Sequence, residues 1–447
     1  MNKTSHCYST DTQRQFILAD ADSFFASCER VFHPSLANKP IVVLSNNDGC
    51  VVARNLEAKN LGIPRGIPWF KIREQAAHDG VIARSSNYEL YASLSTRMMH
   101  IMNSFLPHQH VYSIDECFFE AHECEEELVR ISGRMQNAVW KGLGLPISIS
   151  IAPTLTLTKI INHWAKRTFG TRTITTWNQA VDFDKNFLEH IDVAHVWGVG
   201  RHLAPKLIAM GITTAADLRD TNEVLIRKQF NVNMQQTVLE LRGIPCIATS
   251  TSQDALDGKR TTQIMCSRMF SHPIRDSATL RQSISVYTQK AALRLRHQGS
   301  LATGISVFCS TSRYNSSDTP SHIRGTYTLE EPTNDPLILT RHACECIENR
   351  IIIGAPYTRA GVILHGLIDE DSYTPLDIFN VQHDKGIGDI LEAAHKRFGA
   401  YHIGIGYGGI RGLARKSGDT GAHWSMKRSY LSSRSTTCWN EMAIVRA

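Results

Sequence analysis

Apolar positions along the chain fall into short runs of two textures. Four apolar residues, Phe16 to Ala19, run straight into Asp20. They predict a buried strand whose C-terminal edge presents a carboxylate. The runs IVVL (41–44) and CVVA (50–53) flank the turn-forming segment Ser45–Gly49 and predict a hairpin. A helix is predicted from about Leu56 to Gly62, followed by irregular chain around Pro64, Gly66 and Pro68. Ser86 is a candidate N-cap for a helix carrying Tyr88, Leu90, Leu94 and Met98. Val111 to Glu120 alternates and is rich in strand formers, and LPISISIA (145–152) alternates as a half-buried strand does. Thr154 to Arg167 reads as a helix. Strands mixed with helices as far as about residue 185 predict an α/β or α+β domain. The stretch 26–80 looks like an insertion in it.

The texture changes at His195. The run HVWGVGRHLAPKLIAMGITTAADL (195–218) predicts two short helices, each preceded by a glycine-bearing turn. A Ser/Thr/Asp-rich linker spans 249–259. Beyond it the pattern predicts strand 261–270, helix 276–298, strands 301–310 and 322–329, helix 337–350 and strand 359–367. That order, βαββαβ, makes a self-sufficient domain. The tail from about 370 to 447 is rich in Gly, Ser and Arg, and its composition predicts only partial order in isolation.

A length of 447 residues fits about three domains. No run of about 18 apolar residues is present, so no transmembrane helix is expected. Met1 to Arg14 lacks an apolar secretory core, and a cytoplasmic location is expected. Most of the 11 cysteines lie in apolar runs, as Cys117 and Cys309 do, which suits buried thiols in a reducing compartment. Cys344 and Cys346, with His342 nearby, fall short of a metal-ligand pattern and read as positions on a helix. The net charge of +6 is compatible with a polyanionic partner without requiring one.

The acids carry more information. Asp20 and Asp22 are two apart, so on a strand they share a face; alternatively Asp22 begins the following turn. Asp115 and Glu116 are adjacent inside the apolar stretch VYSIDECFF. A regular strand would bury at least one of these charges, at high cost. A hairpin turn removes that cost, and so does a bound cation. Clustered carboxylates that hold hard divalent cations are what phosphoryl transfer needs. Lys159, on the first turn of its helix, is placed to reach a phosphate, and Arg54 and Lys59 flank the helix after the hairpin. Gly198 and Gly200 in VWGVGR, with a second turn at Gly211, suit backbone N–H contacts to DNA phosphates.

Taken together, the chain resembles the Y-family of translesion DNA polymerases. The resemblance rests on LADADSFFASCE (18–29), VYSIDE (111–116), SIAPTLTLTKIINHWAK (150–166), VWGVGRHLAPKLIAMGI (196–212) and CSRMF (266–270). It runs in order from about 14 to 370. Within the family the chain looks most like the UmuC subgroup, the catalytic subunit of DNA polymerase V and its relatives. The segments that point there are PIVVLSNNDGCVVARNLEAKNLGI (40–63), PWFK (68–71), SSNYELYASLS (85–95) and WSMKRSYLSSRSTT (424–437).

The resemblance implies a right-hand polymerase. The palm would be 14–25 and 81–185, small fingers 26–80, and a helix-hairpin-helix thumb 186–248. The little finger would be 260–368, and 369–447 a partner-binding tail. It implies Mg²⁺, as two ions, on Asp20, Asp115, Glu116 and the Ala21 carbonyl, with these three acids catalytic and Glu116 next to the primer 3′-hydroxyl. It implies that Phe24, Phe25, Lys59 and Lys159 bind the dNTP, Phe25 being the ring that excludes a 2′-hydroxyl. Gly198, Gly200 and Arg201 would meet primer–template DNA. The implied partners are a cleaved UmuD-type (UmuD′) homodimer, a RecA filament and the sliding clamp, in error-prone synthesis during the SOS response. Leu376 and Phe379 in PLDIF (375–379) resemble a clamp-binding peptide, with Pro375 where glutamine is usual. Leu56 stands where other branches often have tyrosine. Three other readings compete: a nucleotidyl cyclase on a similar palm, a DNA-binding accessory subunit without activity, and a bypass polymerase that works alone.

Overall fold

A computed structural model describes residues 14–247, 261–312, 321–373, 386–398, 404–405 and 426–442. The linker 249–259 and the PLDIF segment lie outside these residues. The chain divides into two compact units. One is Met1–Leu44, Cys50–Asp257 and Tyr430–Ala447; the other is Ser45–Gly49 and Gly258–Ser429.

In the first unit, strand β1 (Gln15–Ala21) leads into helix α1 (Phe24–Val31). Strands β2 (Ile41–Leu44) and β3 (Val51–Arg54) pair as the expected hairpin. Helices α2 (Leu56–Asn60) and α3 (Trp69–His78) precede strand β4 (Ile82–Ser85), which pairs in parallel with β2. Helix α4 (Tyr88–Asn103) is capped by the Asn87 side chain, which accepts from the Leu90 N–H at 3.3 Å, rather than by Ser86. The Ser86 hydroxyl instead donates to the Leu44 carbonyl. Strands β5 (His110–Val111) and β6 (Glu116–Ala121), helix α5 (Glu125–Leu143), strand β7 (Ile147–Ala152), helix α6 (Leu155–Thr168), strand β8 (Ile174–Thr176) and helix α7 (Trp177–Phe183) follow.

The main sheet has the order β5-β6-β1-β7-β8, with β1 in its centre and antiparallel to both neighbours. Both faces of β1 are covered, Ile17 and Ala19 by one cluster and Phe16 and Leu18 by another. A strand in that position reads as a continuous apolar run, as observed.

Four short helices complete this part of the unit: α8 (Ala204–Ala209), α9 (Ala215–Asp220), α10 (Glu223–Gln229) and α11 (Val232–Leu241). They share a core with α6 built on Ile160, Leu207, Leu218, Ile226 and Val238. The carboxylate of Glu240, fully buried on α11, accepts from the N–H groups of Thr156, Cys246 and Ile247. Three such bonds compensate the desolvation of a buried charge.

The second unit holds strand β9 (Gln263–Ile274), helix α12 (Ser277–His297), strands β10 (Ser300–Thr311) and β11 (His322–Thr333), helix α13 (Pro336–Glu348) and strand β12 (Tyr357–Asp369). This is the expected βαββαβ order. The sheet runs β11-β10-β12-β9, antiparallel throughout. Strand β9 extends past residue 270 through Pro273, which an edge strand tolerates because no ladder N–H is needed there. Helix α13 lies so close over β11 that a Cβ built on Gly325 would fall 2.1 Å from the Cys346 carbonyl oxygen. Gly325→Ala is therefore expected to destabilise this unit by about 3 kcal/mol, measured as a shift in the denaturant midpoint.

Within the tail the structure describes helix α14 (Ile387–Phe398), whose Asp389 pairs with Arg296. The segment 430–442 belongs to the first unit. Its Tyr430 exchanges two hydrogen bonds with Ser85, at 3.1 Å and 2.9 Å. The Arg434 guanidinium and N–H grip Glu441 and hold its carboxyl down at about 2. Among the described residues no helix is long and apolar enough to cross a membrane.

Candidate active site

The register of β1 builds the site. Asp20 lies directly opposite Glu116 on β6 and Ser148 on β7. Residues opposite each other on antiparallel strands share a face, so Asp20 and Glu116 point the same way. The β5–β6 connection turns at Ser113–Asp115, where the N–H groups of Tyr112 and Ser113 both donate to the Glu116 carbonyl. Asp115 sits in this turn, where the Ser113 hydroxyl donates to its carboxylate at 2.5 Å. The Ala21 N–H donates to the Asp115 carbonyl at 2.9 Å. In VYSIDECFF a turn removes part of the cost of a buried charge: Asp115 leaves the ladder and Glu116 opens β6.

Asp22 follows the end of β1 and is 3% exposed. Its carboxylate accepts from the Ser148 hydroxyl and the Arg172 N–H. Lys166 joins the two aspartates, with Nζ 3.0 Å from Asp20 and 2.8 Å from Asp22. Burial works against the Lys166 charge, but these two acids outweigh it and raise its pKa. Asn162 also donates to Asp20, at 2.5 Å. Both residues lie on α6, one turn apart, so a single helix face supplies two donors to the β1 acids.

Burial is the largest influence on Asp20; Lys166 opposes it, and the Glu116 and Asp115 charges add to it. The carboxyl is pushed up to about 6. The three acids therefore feel one another. Glu116 pairs with Lys159 at 2.5 Å. That ammonium lies over the rings of Tyr112, Trp197 and Phe118, at 4.3, 5.5 and 5.6 Å from their centroids. Among the described residues no three His, Cys, Asp or Glu side chains converge into a closed metal cage. The carboxylates turn instead to lysines. The donor set still suits a hard cation: carboxylate oxygens of Asp20, Asp115 and Glu116 that repel one another.

The remaining sequence-derived residues lie around this centre. Lys59 donates to the Ser23 hydroxyl at 3.2 Å. Burial, then the Arg54 and Lys166 charges, lower its pKa, while Asp22 and Asp20 oppose that shift. Ser23 itself adopts φ 50°, a left-handed conformation at the β1–α1 junction. Phe25 is half-buried, packed against the core. Phe24, by contrast, is 3% exposed and its ring packs in the core. Lys166 was overlooked as a site residue in the sequence. Its signals are its place at the end of the run SIAPTLTLTKIINHWAK and its seven-residue spacing from Lys159, which puts both on nearly one face of α6.

With this geometry in view, a profile of the impB/mucB/samB family matches residues 19–163, and one for that family's C-terminal domain matches 261–378. A domain of unknown function (DUF4113) matches 387–445. Protein UmuC of Salmonella typhimurium LT2 is 35% identical over 96% of this chain and 100% of its own length. The chain belongs to the UmuC-like Y-family DNA polymerases. Protein SamB of Salmonella typhimurium is likewise 35% identical, over 96% of this chain and 98% of its own length. DNA polymerase IV 2 of Bacillus subtilis is 25% identical over 87% of this chain and 92% of its own. The Y-family DNA polymerase chimera of Dbh and Dpo4 is similar in fold, with a TM-score of 0.61 at 20% identity. It covers 79% of this chain and 99% of its own.

In this UmuC-like polymerase Gly198, Gly200 and Arg201 are all exposed, and Gly198 has φ +89°. A Cβ at Gly200 would meet nothing within 4 Å, so the backbone there is open to a ligand. The two short helices expected in 195–218 are α8 and α9, and α10 and α11 follow them. His342 stacks on Tyr327 and contacts Glu345, while Cys344 and Cys346 are half-buried on α13 with thiol pKa values raised by burial.

Proposed function

We propose that this polymerase carries out error-prone bypass of damaged template in the SOS response, adding a dNMP to a primer 3′ end at the centre formed by Asp20, Asp115 and Glu116. The observation that carries the reading is the β1–β6 register, which sets Asp20 opposite Glu116 with Asp115 in the adjoining turn. Asp20, Asp115, Glu116 and the Ala21 carbonyl are the residues to hold two Mg²⁺ ions. Those ions, when bound, orient the attacking oxygen and neutralise charge on the phosphates. Lys59 and Lys166, beside the same acids, supply positive charge to the triphosphate. Lys159 steadies Glu116, which lies next to the 3′-hydroxyl. Phe25 stands against the sugar, where a rigid ring clashes with one added oxygen. Gly198, Gly200 and Arg201 hold the DNA backbone without reading its sequence.

The UmuC-like identity supports a UmuD′-type dimer, a RecA filament and the sliding clamp as partners, with Leu376 and Phe379 the clamp contacts. The test is primer extension past an abasic site with Mg²⁺ and dNTPs, with and without the dimer and activated RecA. Extension that needs the partners is expected. Extension without them would point to an autonomous bypass enzyme. DNA binding without extension under any condition would leave an accessory role.

A further inference from the structure

The ring of Phe25 does not stand alone. Tyr91 on α4 stacks beneath it, with centroids 4.6 Å apart and planes 16° apart. Tyr91 is fully buried, and its hydroxyl donates to Glu29 at 2.6 Å. Glu29 is also fully buried, one helical turn beyond Phe25 on the same face of α1. Tyr91 is therefore held at two points of one helix, its ring against residue 25 and its hydroxyl against residue 29.

Packing alone does not account for this arrangement. A smaller aliphatic side chain would leave room beneath the Phe25 ring, and the buried hydroxyl–carboxylate pair, at a cost in desolvation, fixes the orientation of the Tyr91 ring. The pair is also enclosed from outside. Arg84 Nε lies 3.6 Å from the second Glu29 oxygen. Asn87, which caps α4, donates its side-chain N–H groups to the Ser432 carbonyl and hydroxyl and to the Ser433 carbonyl, at 3.2, 2.9 and 3.3 Å. The C-terminal segment thus closes over the start of the helix that carries Tyr91.

We infer that Tyr91, fixed by Glu29, is a positioning residue for Phe25 and sets how strictly the enzyme excludes ribonucleotides. The inference rests on the reading of Phe25 as the sugar-excluding ring. A clash with one oxygen discriminates only if the ring cannot retreat by a few tenths of an ångström. The Tyr91 ring blocks that retreat.

The test is single-nucleotide insertion with a dNTP and the matching rNTP on undamaged template. The enzymes compared are wild type, Phe25→Leu, Tyr91→Leu and the double variant, each first checked by thermal melting. Tyr91→Leu is expected to raise the rNTP-to-dNTP ratio of kcat/KM about tenfold, mostly through the rNTP. In the Phe25→Leu background it is expected to add nothing. An equal fall for both nucleotides, leaving the ratio unchanged, would mean a merely structural role and overturn the inference. So would a full further increase in the double variant. If Phe25→Leu itself leaves the ratio unchanged, the reading of Phe25 fails first, and the two failures are told apart. Should Tyr91→Leu not fold, Tyr91→Phe keeps the stack and loses the tie to Glu29. A rise of about threefold is then expected, and an unchanged ratio overturns the inference.

Discussion

Asp115→Ala, Glu116→Gln and Asp20→Asn are each expected to slow primer extension by about 10³-fold or more while DNA binding stays within about threefold of wild type. The reason lies in where their charges stand. Asp20 and Glu116 face one another across the β1–β6 ladder, and Asp115 occupies the turn beside them. None lies near Gly198, Gly200 or Arg201 in sequence, and phosphate contacts dominate affinity for DNA. Stability supplies a second check. Burial and the neighbouring acids push the Asp20 carboxyl up to about 6, so the folded protein keeps this charge at a cost. Asp20→Asn is therefore expected to melt no lower than wild type at pH 7. Such a cost is the mark of a functional site. A neutral variant that extends primers at wild-type rates, with its melting temperature unchanged, would remove these acids from the chemistry.

Much of this architecture was legible in the sequence because it follows local rules. The apolar run ahead of Asp20, the hairpin around 45–49 and the βαββαβ order each follow from period and turn chemistry. What escaped has identifiable causes. Helix α5 buries Ser132 and Gln136 along with Leu128, Met135 and Val139, so its inner face does not read as an apolar stripe. Its N-cap, Cys124, makes no side-chain bond that would announce a start. Helix α3 buries only Trp69 and Ala76 and follows a proline-rich stretch that reads as irregular. Strand β4 belongs to the small sheet only through a parallel pairing with β2 some forty residues away, which no local pattern reveals.

The site divides in the same way. The acids stood out because charge inside an apolar run needs an explanation. The lysines did not, because a lysine on a helix is ordinarily a solvated charge and only tertiary contact distinguishes one from another. Lys159 was singled out by its position at a helix start, yet the structure encloses it under three aromatic rings and pairs it with Glu116. The lysine that reaches two acids of the β1 edge is Lys166. Tyr91 was likewise legible as a helix residue and not as a support for Phe25.

Lys166→Met carries the second large expected effect. In the folded chain the ammonium bridges Asp20 and Asp22 at 3.0 and 2.8 Å, and Asp22 has almost no access to water. Removing one partner of such a group leaves a buried charge uncompensated. Asp22 keeps its bonds from Ser148 and Arg172, so the expected loss is about 3 kcal/mol, at the lower end for a broken buried pair. The melting temperature in the absence of divalent cations reads it. On addition of Mg²⁺ the variant is expected to recover more stability than wild type gains, because a cation that binds only the folded state replaces the missing charge. Recovery of stability should not restore rate. With the triphosphate deprived of a cation, dNTP insertion is expected to stay about a hundredfold below wild type even in saturating Mg²⁺. A variant that regained both would mean that Lys166 only fills a charge vacancy between two aspartates. One that regained stability alone would separate the lysine's part in folding from its part in binding the substrate.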